Sequence, residues 1–239
     1  MFVIIWFVMK PAEMKHERER LGWTQQVAAS RLGVSQPYLS LLEAGGRRVP
    51  AKLGKKVVEL YGTPATALPL DESFDPPKLP AAQLLAENLA GLGYPGFSHL
   101  RSKHAHNPAT VLFNALGRKD LESRLVEALP WVVLRYPKLN WEWLVPRAQL
   151  YCLQNRLGYV THLAYQKAKN DNGDHSAAPL LAQQQSVLEN ARLAVEGTLC
   201  HDSLSNAERS WLREVRPPEA AHWNLLTDLR PEQLRYASA

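Results

Sequence analysis

Cysteine is nearly absent: Cys152 and Cys200 are the only two in 239 residues. Two such residues make neither a disulfide framework nor a cysteine zinc site. A reducing cytoplasm suits them. Long apolar runs are missing too. The longest, Met1 to Val8, is far short of the roughly 20 residues that cross a bilayer, and it lacks the basic start and small-residue cleavage site of a signal peptide. No alternating strand pattern and no internal repeat stands out, so the chain reads as all-α. No phosphate-cradling glycine motif, zinc spacing or pair of catalytic carboxylates appears. No catalytic residue, metal or cofactor is therefore assigned, and an enzyme is not expected. Three readings of residues 1–9 stay open, in this order: a start codon set too early, with Met9 or Met14 as the true one; a segment packed on the protein; a membrane contact.

What is present begins at Thr24. Its hydroxyl can accept from the free amides of a first turn, so it opens a helix to about Leu32. Ala28, Ala29 and Leu32 give that helix one apolar stripe. Gly33 follows directly, where a left-handed residue ends a helix. Val34 can plug the corner. Ser35 is a second N-cap and opens a helix from Gln36 to about Glu43, with Pro37 in its first turn, where a missing amide costs little. Leu39 and Leu42 face inward, and Gln36, Pro37, Ser40 and Ala44 share much of the opposite face. Two short helices joined by a glycine-bearing turn make a helix-turn-helix, a shape that can put its second helix into the DNA major groove. An ordinary helical hairpin is the plain alternative.

The segment Arg18-x-x-x-Gly22-Trp23-Thr24-Gln25-x-x-Ala28-Ala29-x-x-Leu32-Gly33-Val34-Ser35, followed by Leu39-Ser40-x-Leu42-Glu43-x-Gly45, resembles the phage-repressor-type helix-turn-helix domain of the XRE, or Cro, family. The resemblance runs from about Pro11 to Tyr61. It implies a five-helix unit of about 60–70 residues. It also implies base-facing positions at Gln36, Pro37, Tyr38 and Ser40, and phosphate-facing positions at Gln25 and Ser35. Glutamine has the geometry for adenine, and proline offers only apolar contact, as to a thymine methyl. Arg18 and Glu43 match a pair that bridges the first helix to the recognition helix and holds the fold. Two positions depart from the pattern: Leu41 stands where such domains often carry a polar or basic residue, and Gly46 doubles the loop glycine.

Charge agrees with the motif. Residues 1–62 hold 10 basic and 5 acidic side chains, and residues 63–239 hold 18 of each, so the whole excess of +5 lies in the first part. Arg47, Arg48, Lys52, Lys55 and Lys56 follow the recognition helix with no acidic residue among them. Arg47, Arg48 and Lys52 are expected to meet phosphate, which makes affinity fall with salt. A solvated helix face is the bland alternative.

Residues 10–62 are thus expected to form the DNA-binding domain. Five prolines in residues 62–80 break both helix and central strand, and residues 63–80 read as an extended linker. Residues 81–239 read as a larger helical domain for dimerisation or partner binding. Helices are expected over Ala81 to Leu92, Pro108 to Leu116, Asp120 (as cap) to Leu129, Asn140 (as cap) to about Lys169, Pro179 to about Leu199, Ser205 (as cap) to Arg216, and Glu219 to Leu229. Five of the seven tryptophans fall here: Trp131, Trp141, Trp143, Trp211 and Trp223. They read first as core and second as a partner surface, densest from Leu129 to Leu144. Cys152 is expected inside a helix, in the core. His99, His104 and His106 do not share one helix face and read as surface residues. Cys200-His201-Asp202 has the residue types of a nucleophilic triad, but that geometry is spatial, not sequential.

The leading expectation is a sequence-specific DNA-binding transcriptional regulator, a dimeric repressor on double-stranded DNA with no membrane partner. An antitoxin-type protein, autoregulating its operon and binding a protein partner through the helical domain, is the alternative. An enzyme acting on nucleic acid is the third reading.

Overall fold

The hydroxyl of Thr24 accepts from the Val27 amide at 3.2 Å and starts the second of four helices. These are α1 (Pro11–Arg20), α2 (Gln25–Leu32), α3 (Gln36–Glu43) and α4 (Ala51–Tyr61). The computed structural model describes residues 11–62, 64–70, 82–100, 106–170, 177–234 and 236. The expectations for residues 1–9, His104 and most of the linker fall outside them. Contacts divide the chain into residues 1–68 and 69–239.

In the first unit α2 ends at Gly33, whose φ of 73° is left-handed, and the Gly33 and Val34 amides donate back to Ser30 and Ala29. A side chain at that φ would be strained, which is why glycine stands there. Ser35 then accepts from the Tyr38 amide at 3.4 Å and starts α3. Met14, Ala28, Leu39, Leu42 and Val57 are fully buried, so one residue set from each of the four helices closes a common core. Val34 packs on its edge. The described residues carry four α-helices here and a single 3-10 turn at Ala65–Ala67.

The second unit is also helical: α5 (Ala82–Gly91), α6 (Pro108–Leu116), α7 (Ser123–Arg135), α8 (Trp141–Leu150), α9 (Gln154–Asn170), α10 (Ala177–Glu189), α11 (Asn206–Val215) and α12 (Pro218–His222). Helix α9 is its spine, with Leu157, Tyr159, Val160, Leu163 and Ala164 buried. Trp223 lies so close on α9 that a Cβ at Gly158 would sit 2.2 Å from its ring, so only glycine fits.

Several boundaries differ from expectation. Asp120 does not cap α7; its carboxylate accepts from the Ser203 amide at 2.9 Å instead. Pro130 sits inside a continuous α7. The single helix expected from Asn140 is two. Cys152 adopts a left-handed φ of 57°, and the Leu153 amide donates to Ala148 at 2.7 Å, closing α8. Cys152 is consequently exposed, not core. Asn140 gives α8 no side-chain cap, because its Oδ1 accepts from Asn107 at 3.3 Å. Helix α10 stops at Glu189, ten residues before the expected Leu199. The Asn155 side chain explains this: its amide donates to the Leu193 carbonyl at 2.9 Å and its oxygen accepts from the Leu193 amide at 2.8 Å. The chain is thereby drawn back along α9. It continues as β1 (Gly197–Thr198), parallel to β2 (Leu225–Leu226), with Gly197 opposite Leu225. Of the helix expected over Glu219 to Leu229, α12 keeps only the part up to His222, and Leu225–Leu226 is strand.

Arg156 fastens the same region. Its guanidinium donates to the carbonyls of Leu116 and Arg118 at 2.8 and 2.7 Å, to the Thr198 carbonyl at 2.8 Å and to Asp202 at 2.8 Å. Trp131, Trp141 and Trp223 are buried, as are Leu129 and Leu144, which agrees with the first reading of these tryptophans as core rather than the second, a partner surface. Only Trp211 among the five is exposed, at 54%.

Candidate nucleic-acid interface

Helix α3 buries Leu39, Leu42 and Glu43 and turns its other side to solvent. What aims that side is a chain of polar contacts that starts beneath it. Arg18, on α1, donates from Nε to Glu43 Oε1 at 2.7 Å and from Nη2 to Oε2 at 3.1 Å. A third bond runs from Nη1 to the Trp23 carbonyl at 2.9 Å. The paired contacts match the planar fork of guanidinium to the two oxygens of carboxylate. The hydrogen bond to Glu43 is the main reason that the Arg18 pKa is raised. Both side chains are nearly dry, 9% and 2% exposed.

Glu43 also accepts from Gln25 Nε2 at 3.0 Å. Gln25 in turn accepts through Oε1 from Gln36 Nε2 at 2.8 Å. The buried ion pair thus orients Gln25, and Gln25 orients the first residue of α3. Gln36 keeps its own side-chain oxygen and a second amide hydrogen for a base edge.

The remaining expected residues are placed as follows. Pro37 is exposed and Ser40 half-buried on the outer side of α3. Tyr38 is half-buried against the domain core, and the Arg47 guanidinium lies 5.9 Å from its ring centre. Ser35 is exposed, with its hydroxyl occupied as the cap of α3. Arg47 and Arg48 are exposed in the loop after α3. Lys52 belongs to α4, and its side chain lies outside the described residues.

The structure adds one residue to the outer face: Leu41 is 47% exposed, beside the exposed Ala44 already expected there. The spacing 37, 41, 44 marks one helical stripe, so the signal was present in the sequence. Arg31 is a further exposed cation of the motif, with its guanidinium 4.2 Å from the Trp23 ring centre.

In the second unit Cys200 is fully buried; desolvation pushes its thiol up to about 11, which keeps it protonated. Asp202 is engaged by Arg156 rather than by His201. A cleft of about 220 Å³ opens at the carboxyl ends of β1 and β2, with His201, Thr227 and Asp228 on its wall and Leu212 and Leu226 beneath. Among the described residues no group of three or more His, Cys, Asp or Glu could hold a metal. No described helix is long and apolar enough to cross a membrane.

The family model for a helix-turn-helix domain matches residues 12–70. A relative from Cereibacter sphaeroides, named propionyl-CoA carboxylase regulator, is 28% identical over 141 residues. The matched region covers 52% of this chain and 30% of that relative. No solved structure matches. The domain match supports a DNA-binding regulator. The first unit is a helix-turn-helix domain, followed by a larger helical region that the family model does not cover.

Proposed function

We propose that this protein is a sequence-specific transcriptional regulator that binds double-stranded DNA through α3 and acts as a dimeric repressor. The observation that carries the reading is the polar chain Arg18–Glu43–Gln25–Gln36, which ends at the start of an exposed recognition helix. A glutamine held this way can meet adenine N7 and N6 with little further loss of side-chain freedom. Ser40 and Pro37 lie beside it on the same side of α3. Gln25 is at the N-terminus of α2, where partial positive charge and free amides suit a phosphate. Arg47 and Arg48 stand in the loop that leaves α3, and extend the phosphate contact. Specific readers of this architecture are commonly two-fold, matching a two-fold operator, and the dimer belongs to this proposal on that ground. The similarity to a protein named as a regulator supports the regulatory role.

A genome-wide map of sites bound by the tagged chain tests the reading directly: shared, palindromic half-sites are expected, and scattered occupancy without a consensus would refute it. The salt dependence of binding to such a site gives a second test. Replacing Arg47 and Arg48 together by alanine should weaken binding to every duplex. It should also flatten the slope of log affinity against log salt, by about 0.9 for each phosphate that is no longer neutralised.

A further inference from the structure

The outer face of α3 is more apolar than the glutamine at its start suggests. Pro37, Leu41 and Ala44 fall on one stripe and are exposed, while Leu39, Leu42 and Glu43 are buried on the other side. Leu41 leads this stripe at 47% exposure. It rests against the doubled glycine: a Cβ at Gly46 would lie 3.5 Å from Leu41 Cδ2 and 3.5 Å from the Leu41 carbonyl oxygen. The Arg47 amide donates to that same carbonyl at 3.3 Å. Backbone and side chain of Leu41 are both braced by the loop that carries the arginines.

We infer that Leu41 is a specificity-determining residue of the DNA site, and that it reads the C5-methyl of thymine in the major groove. The inference rests on the DNA-binding reading above and deepens it. Leucine has no hydrogen-bonding group, so it cannot discriminate base edges by donor or acceptor. The only apolar group that a base pair offers in the major groove is the thymine methyl. The surroundings favour DNA over a protein as the occupant of this stripe. It lies between the Gln36 amide and the exposed Arg47 and Arg48, and residues 1–62 carry 10 basic against 5 acidic side chains. A Cβ at Gly46 would make only ordinary contact with Leu41, so the stripe depends on Leu41 itself and not on the second glycine.

The test isolates the methyl. The tightest duplex from a selection on randomised double-stranded DNA is made with each thymine replaced singly by deoxyuridine. This removes the methyl and keeps every hydrogen-bonding edge. Binding of the full chain is followed by fluorescence anisotropy for wild type and Leu41→Ala. At one or more thymines of the site, deoxyuridine should weaken wild-type binding about fourfold, the effect of one methyl group leaving apolar contact. At those positions Leu41→Ala should bind the two duplexes alike, with thermal unfolding unchanged. A wild type indifferent to every replacement, or a Leu41→Ala protein that keeps the full penalty, overturns the role of Leu41 and leaves DNA binding standing. If selection enriches no duplex, the DNA-binding reading falls, and this inference falls with it.

Discussion

Removing the Glu43 carboxylate should nearly unfold the first unit. Arg18 and Glu43 meet through two hydrogen bonds of 2.7 and 3.1 Å, with side chains 9% and 2% exposed. Glu43→Ala leaves the buried guanidinium with the Trp23 carbonyl at 2.9 Å and the more exposed Glu19 carboxylate at 3.3 Å, which holds the cost toward the lower end, and also strips Gln25 of its acceptor at 3.0 Å. Breaking one side of such a buried pair costs roughly 3–5 kcal/mol. A unit the size of residues 1–68 is stable by roughly 3–10 kcal/mol, so the loss takes a large part of the whole. Hydrogen exchange of the full chain, read by mass spectrometry, resolves the consequence by segment. Peptides covering α2 and α3 should exchange roughly two to three orders of magnitude faster, at about 1.4 kcal/mol per tenfold. Peptides of α9 serve as the reference. The double change Arg18→Met with Glu43→Met removes both charges and fills the space, and should recover most of the protection. Unchanged exchange in Glu43→Ala would refute the argument. So would a double variant less protected than the single one, because mutual neutralisation would then not be what the pair does.

Three further outcomes follow from the same geometry. Gln36→Ala should reduce discrimination at one base pair by roughly 1–3 kcal/mol; competition binding with single-base operator variants checks it, and an equal loss on every sequence would remove the base-reading role. Arg156→Ala should lower the thermal midpoint of the second unit by several degrees, since four acceptors (the carbonyls of Leu116, Arg118 and Thr198 and the Asp202 carboxylate) lose their donor together. Calorimetry that finds the midpoint unmoved would show that these bonds are replaceable by water. His162, held between Gln166 on α9 and Gln185 on α10, has its pKa lowered chiefly by burial. The unfolded chain therefore takes up this proton at higher pH than the folded one, so stability present above about pH 6.5 is lost as pH falls toward the folded value. Urea titrations from pH 7.5 to 5 should show that decline, and His162→Gln should make it shallower.

The helix-turn-helix was legible because its determinants act within a few residues. Thr24 and Ser35 each bind an amide three residues ahead, and the amides of Gly33 and Val34 close α2 by reaching back three and five residues. A pattern of caps, turn glycine and inward leucines therefore states the whole motif in order. The stripe through Leu41 was equally local; it was passed over because leucine there departs from the polar habit of such domains.

The second unit was less legible because its boundaries are set by distant partners. Cys152 ends α8 in a left-handed conformation that sequence reasoning reserves for glycine or asparagine. Asn155 ends the helical run after Glu189 by gripping Leu193, 38 residues away. Arg156 gathers carbonyls 38 to 42 residues distant and so holds Thr198, at the end of β1, beside Leu116 and Arg118. Periodicity, caps and net charge are local or additive, so the sequence was enough for a mostly helical chain with a basic helix-turn-helix at its front, though not for the short β1–β2 pair. The tertiary structure alone decided where the later helices stop and which tryptophans are core. It alone extended the expected Arg18–Glu43 pair through Gln25 to Gln36, because each of those outcomes is fixed by side chains meeting across long stretches of sequence.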